Sequence, residues 1–223
     1  HIFLTIQEII ANTAENINNL ANQNIFGDTF TIVLSIITSI CLSAGCGLRV
    51  FTPFFILSLI TYLFPELIPL NEDVAFISSL SAVILLGIAS LLEILAFYIP
   101  WLDNILGAVT VPIAGFSGVA MGVIILADLP PALQWGLAIL GGGGATGTQL
   151  STEYIRTLIT AATAGFGNFI VSTLENILAL VFSILAIIAP ILALILLTVF
   201  LLLIFILGKK LLKRRNNKKQ FST

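Results

Sequence analysis

Residues 140–157 read LGGGGATGTQLSTEYIRT, and how this stretch is read decides the fold. Each of Gly141, Gly142, Gly143 and Gly144 costs a helix about 1 kcal/mol relative to alanine. In hydrocarbon, a backbone released from its helix must find partners in protein or cavity water. Two geometries are open. The run is either a broken or re-entrant helix whose bare backbone lines a route through the protein, or a tight crossing where a second helix touches glycine.

Composition sets the surroundings. The 223 residues are 58% hydrophobic and 9% charged, against about 25% charged in an ordinary soluble domain. The mean hydropathy is +1.13. Too few polar side chains remain to cover a water-soluble core, and apolar runs of about 18 residues mark membrane helices. The expected fold is all-α, a polytopic helical membrane protein with the lipid bilayer as its first partner. Seven of the nine basic residues fall in 209–223. That tail is expected in the cytoplasm by the positive-inside rule, touching anionic lipid and not nucleic acid. A bacterial-type inner membrane, or a thylakoid-like one, is the expected location.

Residues 1–28 place Phe3, Ile6, Ile10, Ile17 and Leu20 on one helical side and carry no Lys or Arg. They read as an amphipathic helix that does not depend on anionic lipid. A single transmembrane domain is expected over 29–208. Segments 29–46, 74–100 and 105–127 are long enough to span, whereas 50–64, 133–147 and 152–165 are short. A helix over 168–208 would be about 60 Å long, so it must bend or fold back, and Pro190 is the natural place. Small residues join two short segments twice, as AGCGLR at 44–49 and GGGGATGTQLST at 141–152. Each pair precedes a long span with one embedded glutamate. The pattern predicts a weak internal repeat of two glycine-broken hairpins, 29–100 against 133–190, with 105–127 as connector. Such paired interruptions point to a binding site inside the membrane.

Arg49, Glu93, Arg156 and Glu175 stand in apolar neighbourhoods. A charge buried in the bilayer costs several kcal/mol, so these groups are expected to pair or to line water. They are candidates for a path or site for an ion, proton or small solute, or for salt bridges that only fix packing. Asp103, after YIPW, reads as a helix cap. Tyr98 and Trp101 read as interfacial anchors. Gly115, Gly118 and Gly122 give the connector a smooth face for close packing, within the chain, with a second copy or in a larger complex. Pro112 is expected to bend that helix.

Chemistry is thinly provided. Cys41 and Cys46 have neither zinc nor redox spacing, and His1 is the single histidine, so no metal or cofactor is expected. Gly142 and Gly147 have the spacing of a P-loop, but Thr148 stands where its lysine belongs. No catalytic set converges, and an enzyme is not expected. The only methionine is Met121, so a chain opening at His1 reads as a processed or truncated start.

Three stretches carry a resemblance: SAGCGLRVFTPFF at 43–55, LLEILAFYIPWLDNI at 91–105, and STLENILALVFSILAIIAP at 172–190. Together with the glycine run before Arg156 they resemble a family of bacterial integral membrane proteins, the domain-of-unknown-function family DUF4126, over about 29–190. That family shows G-L-R leading to a proline, a glutamate ahead of P-x-x-D, and a late Glu-Asp pair. The resemblance implies a multi-span membrane protein in which Arg49, Glu93, Asp103 and Glu175 matter. Asn176 stands where the pair has its aspartate, which leaves Asp103 and Asn176 as secondary candidates. The resemblance implies no substrate. The function expected is a transporter or channel for a small ion or solute; the alternative is a non-transporting structural or assembly subunit of a membrane complex.

Overall fold

The structure is a computed structural model that describes residues 25–68, 70–163 and 166–220. Nearly all of the expected N-terminal amphipathic helix therefore lies outside the described residues. The chain divides into two compact units, 1–34 and 35–223. Of the first, only the opening of one helix is described. The second holds the remaining helices and all of the charged candidates.

All regular elements among the described residues are helical. They are α1 (Ile25–Cys46), α2 (Phe51–Leu63), a 3₁₀ helix (Glu72–Ser78), α3 (Leu80–Ala96), α4 (Pro100–Ile125), α5 (Pro131–Thr163), α6 (Phe166–Ile188) and α7 (Pro190–Gln220). Thr29–Cys46 and Phe169–Ile188 are long and apolar enough to cross a membrane. The 3₁₀ helix and α3 make a third crossing if the pair, bent by 60°, counts as one span. Large apolar side chains such as Leu85, Leu91, Phe116 and Leu140 are exposed, a surface that suits lipid tails far better than water. The protein is an all-helical membrane protein.

Local chemistry accounts for the boundaries. Asn71 accepts from the Asp73 amide and opens the 3₁₀ helix, and Ser79 accepts from the Ala82 amide and opens α3. These caps split the span expected over 74–100 into two pieces. Pro190 begins α7 directly after α6 ends at Ile188, so the long C-terminal stretch is two helices, as the proline suggested. Asp103 lies inside the first turn of α4, whose cap position is Ile99. It is not the cap residue.

The tetraglycine needs a larger correction. No break or re-entrant turn occurs there: α5 runs unbroken from Pro131 to Thr163 and joins the two short segments expected at 133–147 and 152–165. Four glycines cost about 4 kcal/mol of helix propensity, but every backbone group left unsatisfied in hydrocarbon costs several. Staying helical is cheaper. Hydroxyls add to this, since Thr146, Thr148 and Ser151 each donate to a glycine carbonyl one turn back, at Gly142, Gly144 and Gly147.

The run serves a crossing. A Cβ at Gly142 would lie 2.7 Å from the Gly115 carbonyl oxygen, one at Gly118 would lie 2.7 Å from Ala145 Cβ, and one at Gly122 would lie 2.6 Å from Ala138 Cα. The Gly115, Gly118 and Gly122 face is thus covered by α5 of the same chain. Gly141 abuts Ser43 of α1, whose hydroxyl donates to the Gly118 carbonyl. Gly143 and Gly144 face outward with nothing near them.

The break that does exist is the first one. Between α1 and α2, Gly47 to Val50 leave the helix, and Gly47 packs against Ala145 and Thr148 of α5. A side chain at Gly47 would collide with α5 backbone, so glycine there allows the chain to turn against that helix. Residues 41–50 are all buried. This buried turn delivers Arg49 to the interior.

Candidate functional site

Arg49 is 2% exposed. Its Nη2 lies 3.4 Å from Glu175 Oε2 and donates to the Ser172 carbonyl, while its Nε donates to Asn176 Oδ1. Arg156, 3% exposed on α5, pairs with the same Glu175 oxygen. It also lies 3.9 Å from Glu153, one helical turn earlier. Two guanidinium groups from different parts of the chain therefore share one buried carboxylate. Both also lie over the ring of Phe97, with Cζ at 3.8 Å for Arg49 and 4.8 Å for Arg156. The electron-rich ring attracts each cation and softens their mutual repulsion.

Glu93 does something different. Its two oxygens accept from the Val50 and Phe51 amides, at 2.6 and 2.9 Å. These donors open α2, which has no capping side chain of its own. A carboxylate on α3 therefore supplies the cap that the local sequence lacks, where the helix dipole favours negative charge. The hydroxyls of Thr52 and Ser90, 3.0 Å apart, continue this α2–α3 seam. Each charge-assisted bond of this kind is worth about 1.5–3 kcal/mol. Glu93→Ala removes two of them and is expected to lower stability by about 3 kcal/mol or more, and Glu93→Gln by less because one acceptor survives. Thermal unfolding in detergent with far-ultraviolet circular dichroism measures both.

Asn176 links the arginine to a further polar group: its Nδ2 donates to the Tyr98 hydroxyl at 3.4 Å, and that hydroxyl lies 3.1 Å from Thr173 Oγ1. An amide suits this place. It accepts from Arg49 and donates to Tyr98 without adding a second negative charge beside Glu175. The structure thus brings together Arg49, Arg156, Glu175 and Asn176, with Glu93 holding the turn that carries Arg49. The tetraglycine stands apart, at the α4–α5 crossing. The side chain of Asp103 is outside the described residues.

Two grooves meet the cluster along α6. One, of about 270 Å³ between α5, α6 and α7, has Glu175 as its only charged lining residue among the described residues. The other, of about 360 Å³ between α2, α3 and α6, reaches Asn176, Thr52 and Ser90. Arg49 lines neither groove but touches a lining residue of each, Glu175 of the first and Asn176 of the second.

The family described as domain of unknown function (DUF4126) matches residues 36–210, which is most of the chain. The chain belongs to the DUF4126 family. The match takes in every member of the charge cluster, from Arg49 to Asn176. No curated protein and no solved structure matches this DUF4126 chain.

Phe97, Tyr98 and Glu153 complete the site and were not singled out for it in the sequence. Two of them left a signal. Phe97 is one helical turn beyond Glu93, on the same face, and Glu153 precedes Arg156 at the spacing that pairs charges on a helix.

Proposed function

We propose that this DUF4126 protein moves a small ion or solute across the membrane, with Glu175 as the exchangeable carboxylate and Arg49 and Arg156 as its counter-charges. One observation carries the reading: Glu175 is held by both buried arginines and at the same time lines a groove. A purely structural fastening does not call for such a cluster, because apolar residues of similar volume hold helices together at least as well. Ionisable groups at membrane depth mark sites and pathways by default. In this reading Glu93 acts on position only, by fixing the turn that presents Arg49. The basic C-terminal tail is assigned to the cytoplasmic side.

The test is flux in proteoliposomes, screening small inorganic ions and monocarboxylates. Glu175→Gln is expected to lower the flux of the transported species at least tenfold while the protein still reconstitutes. Unchanged flux in that variant removes Glu175 from the mechanism.

A second reading, a non-transporting subunit of a membrane assembly, draws on the opposite face of α5. There Gly136, Gly143 and Gly147 lie at helical spacing with nothing within 4 Å. Small residues bare to lipid let another helix approach closely. Native mass spectrometry of the protein extracted from membranes distinguishes the two, since a stoichiometric partner with no flux supports the second.

A further inference from the structure

We infer that the charge cluster is a hydrated site: an internal water molecule is bound between the Ser172 hydroxyl and the Glu175 carboxylate, beside the Arg49 guanidinium.

Ser172 is 0% exposed, and its hydroxyl has no hydrogen-bond partner among the described residues. Other helix hydroxyls find theirs locally. Those of Thr157, Thr173 and Ser183 each donate to the carbonyl one turn back. Ser172 makes no such bond, although Thr173 beside it does. A polar group buried without a partner is costly, and ordered water is the usual remedy.

The hydroxyl belongs to the cluster by position. Ser172 precedes Glu175 by three residues on α6, the spacing that puts two side chains on one helical face. Arg49 Nη2 donates to the Ser172 carbonyl and lies 3.4 Å from Glu175 Oε2. One nitrogen thus touches both residues.

These neighbours select the ligand. A carboxylate only accepts and a guanidinium only donates, so a molecule set among them and a hydroxyl must do both. A cation there would meet Arg49 and Arg156, and an anion would meet Glu175 while that side chain is in place. Each would give up its hydration to face a like charge. A neutral molecule of the smallest size, both donor and acceptor, fits. Water donates to the carboxylate and shares a hydrogen bond with Ser172, within reach of the two to four polar partners that an internal water requires. Under the transport reading, Glu175 then keeps a donor when it parts from either arginine.

The test is X-ray radiolytic footprinting of the full chain in nanodiscs, in water carrying a heavy oxygen isotope. Radicals born from a bound water oxidise the ring beside it. Phe97, buried under both guanidiniums, is expected to take up label at least fivefold more than Phe182, a core ring that is 5% exposed among apolar side chains. In Ser172→Ala that excess is expected to disappear. The unfolding midpoint gives a second readout, decided by its sign. Ser172→Ala is expected to lower it by about 2–4 °C, through loss of a water-mediated bond, whereas deleting a dry, unpartnered hydroxyl would raise it. Phe97 labelled no more than Phe182, label unchanged in Ser172→Ala, or a raised midpoint overturns the proposal. Neither readout uses flux, so the water site and the transport reading can fail independently.

Discussion

Glu175→Leu alone is expected to destabilise the protein by about 3–5 kcal/mol, the usual cost of removing one partner from a buried charge set. The triple variant Arg49→Met, Arg156→Met, Glu175→Leu is expected to recover most of that loss. In the single variant two guanidiniums remain buried near one ring, with the carboxylate they share removed. In the triple variant both guanidiniums and the carboxylate they share are gone, Glu153 is partly exposed and reaches solvent or headgroups in place of Arg156, and methionine fills irregular space well. Unfolding midpoints in one detergent measure both. The triple variant is also expected to be inert in flux, so that a folded, inactive protein separates the chemistry of the cluster from its contribution to packing. A triple variant as damaged as the single one would mean that these side chains hold the helices together through more than mutual neutralisation.

Gly118→Leu is the second large effect. Its Cβ alone would lie 2.7 Å from Ala145 Cβ and 3.0 Å from Gly142 Cα, and backbone cannot move aside as a flexible side chain can. Overpacking costs about 1–3 kcal/mol where side chains can shift. Here α4 and α5 must separate, so about 3 kcal/mol or more is expected, and the shift of α4 strains the bond from Ser43 to the backbone carbonyl of residue 118 as well. Gly143→Leu is the matched control. With open space around it, the same change is expected to be neutral or to raise stability by up to about 1 kcal/mol through helix propensity. Equal damage from both would show that helix propensity, and not the crossing, governs the glycine run.

That contrast also shows what could be read from the sequence. Composition and run length were enough for an all-helical membrane chain, and Pro190 was enough for the α6–α7 boundary, because both are local or bulk properties. The four lone charges were legible as a group because burial in lipid forces them to find partners. Which partner each takes was not legible. Glu93 turned to the amides of α2 and Glu175 to both arginines, and that choice depends on which helices are neighbours. The glycine run was ambiguous for the same reason. Its propensity cost is visible in the sequence, whereas the α4 surface that makes helix the better answer lies at Gly115 to Gly122, remote in sequence.

Arg49 meets Asn176 across 127 residues of chain, and that distance bears on how the molecule is made. Translation delivers α1, α2 and the arginine between them well before α6 exists. For that interval the nascent chain holds a guanidinium in or beside the bilayer without the carboxylate that will eventually neutralise it. Chains stopped before α6 should accordingly be held at the insertion machinery or be cleared by membrane proteases, while chains stopped after Ile188 should leave it. The late arrival of Glu175 is expected to make completion of α6 the point at which biogenesis commits.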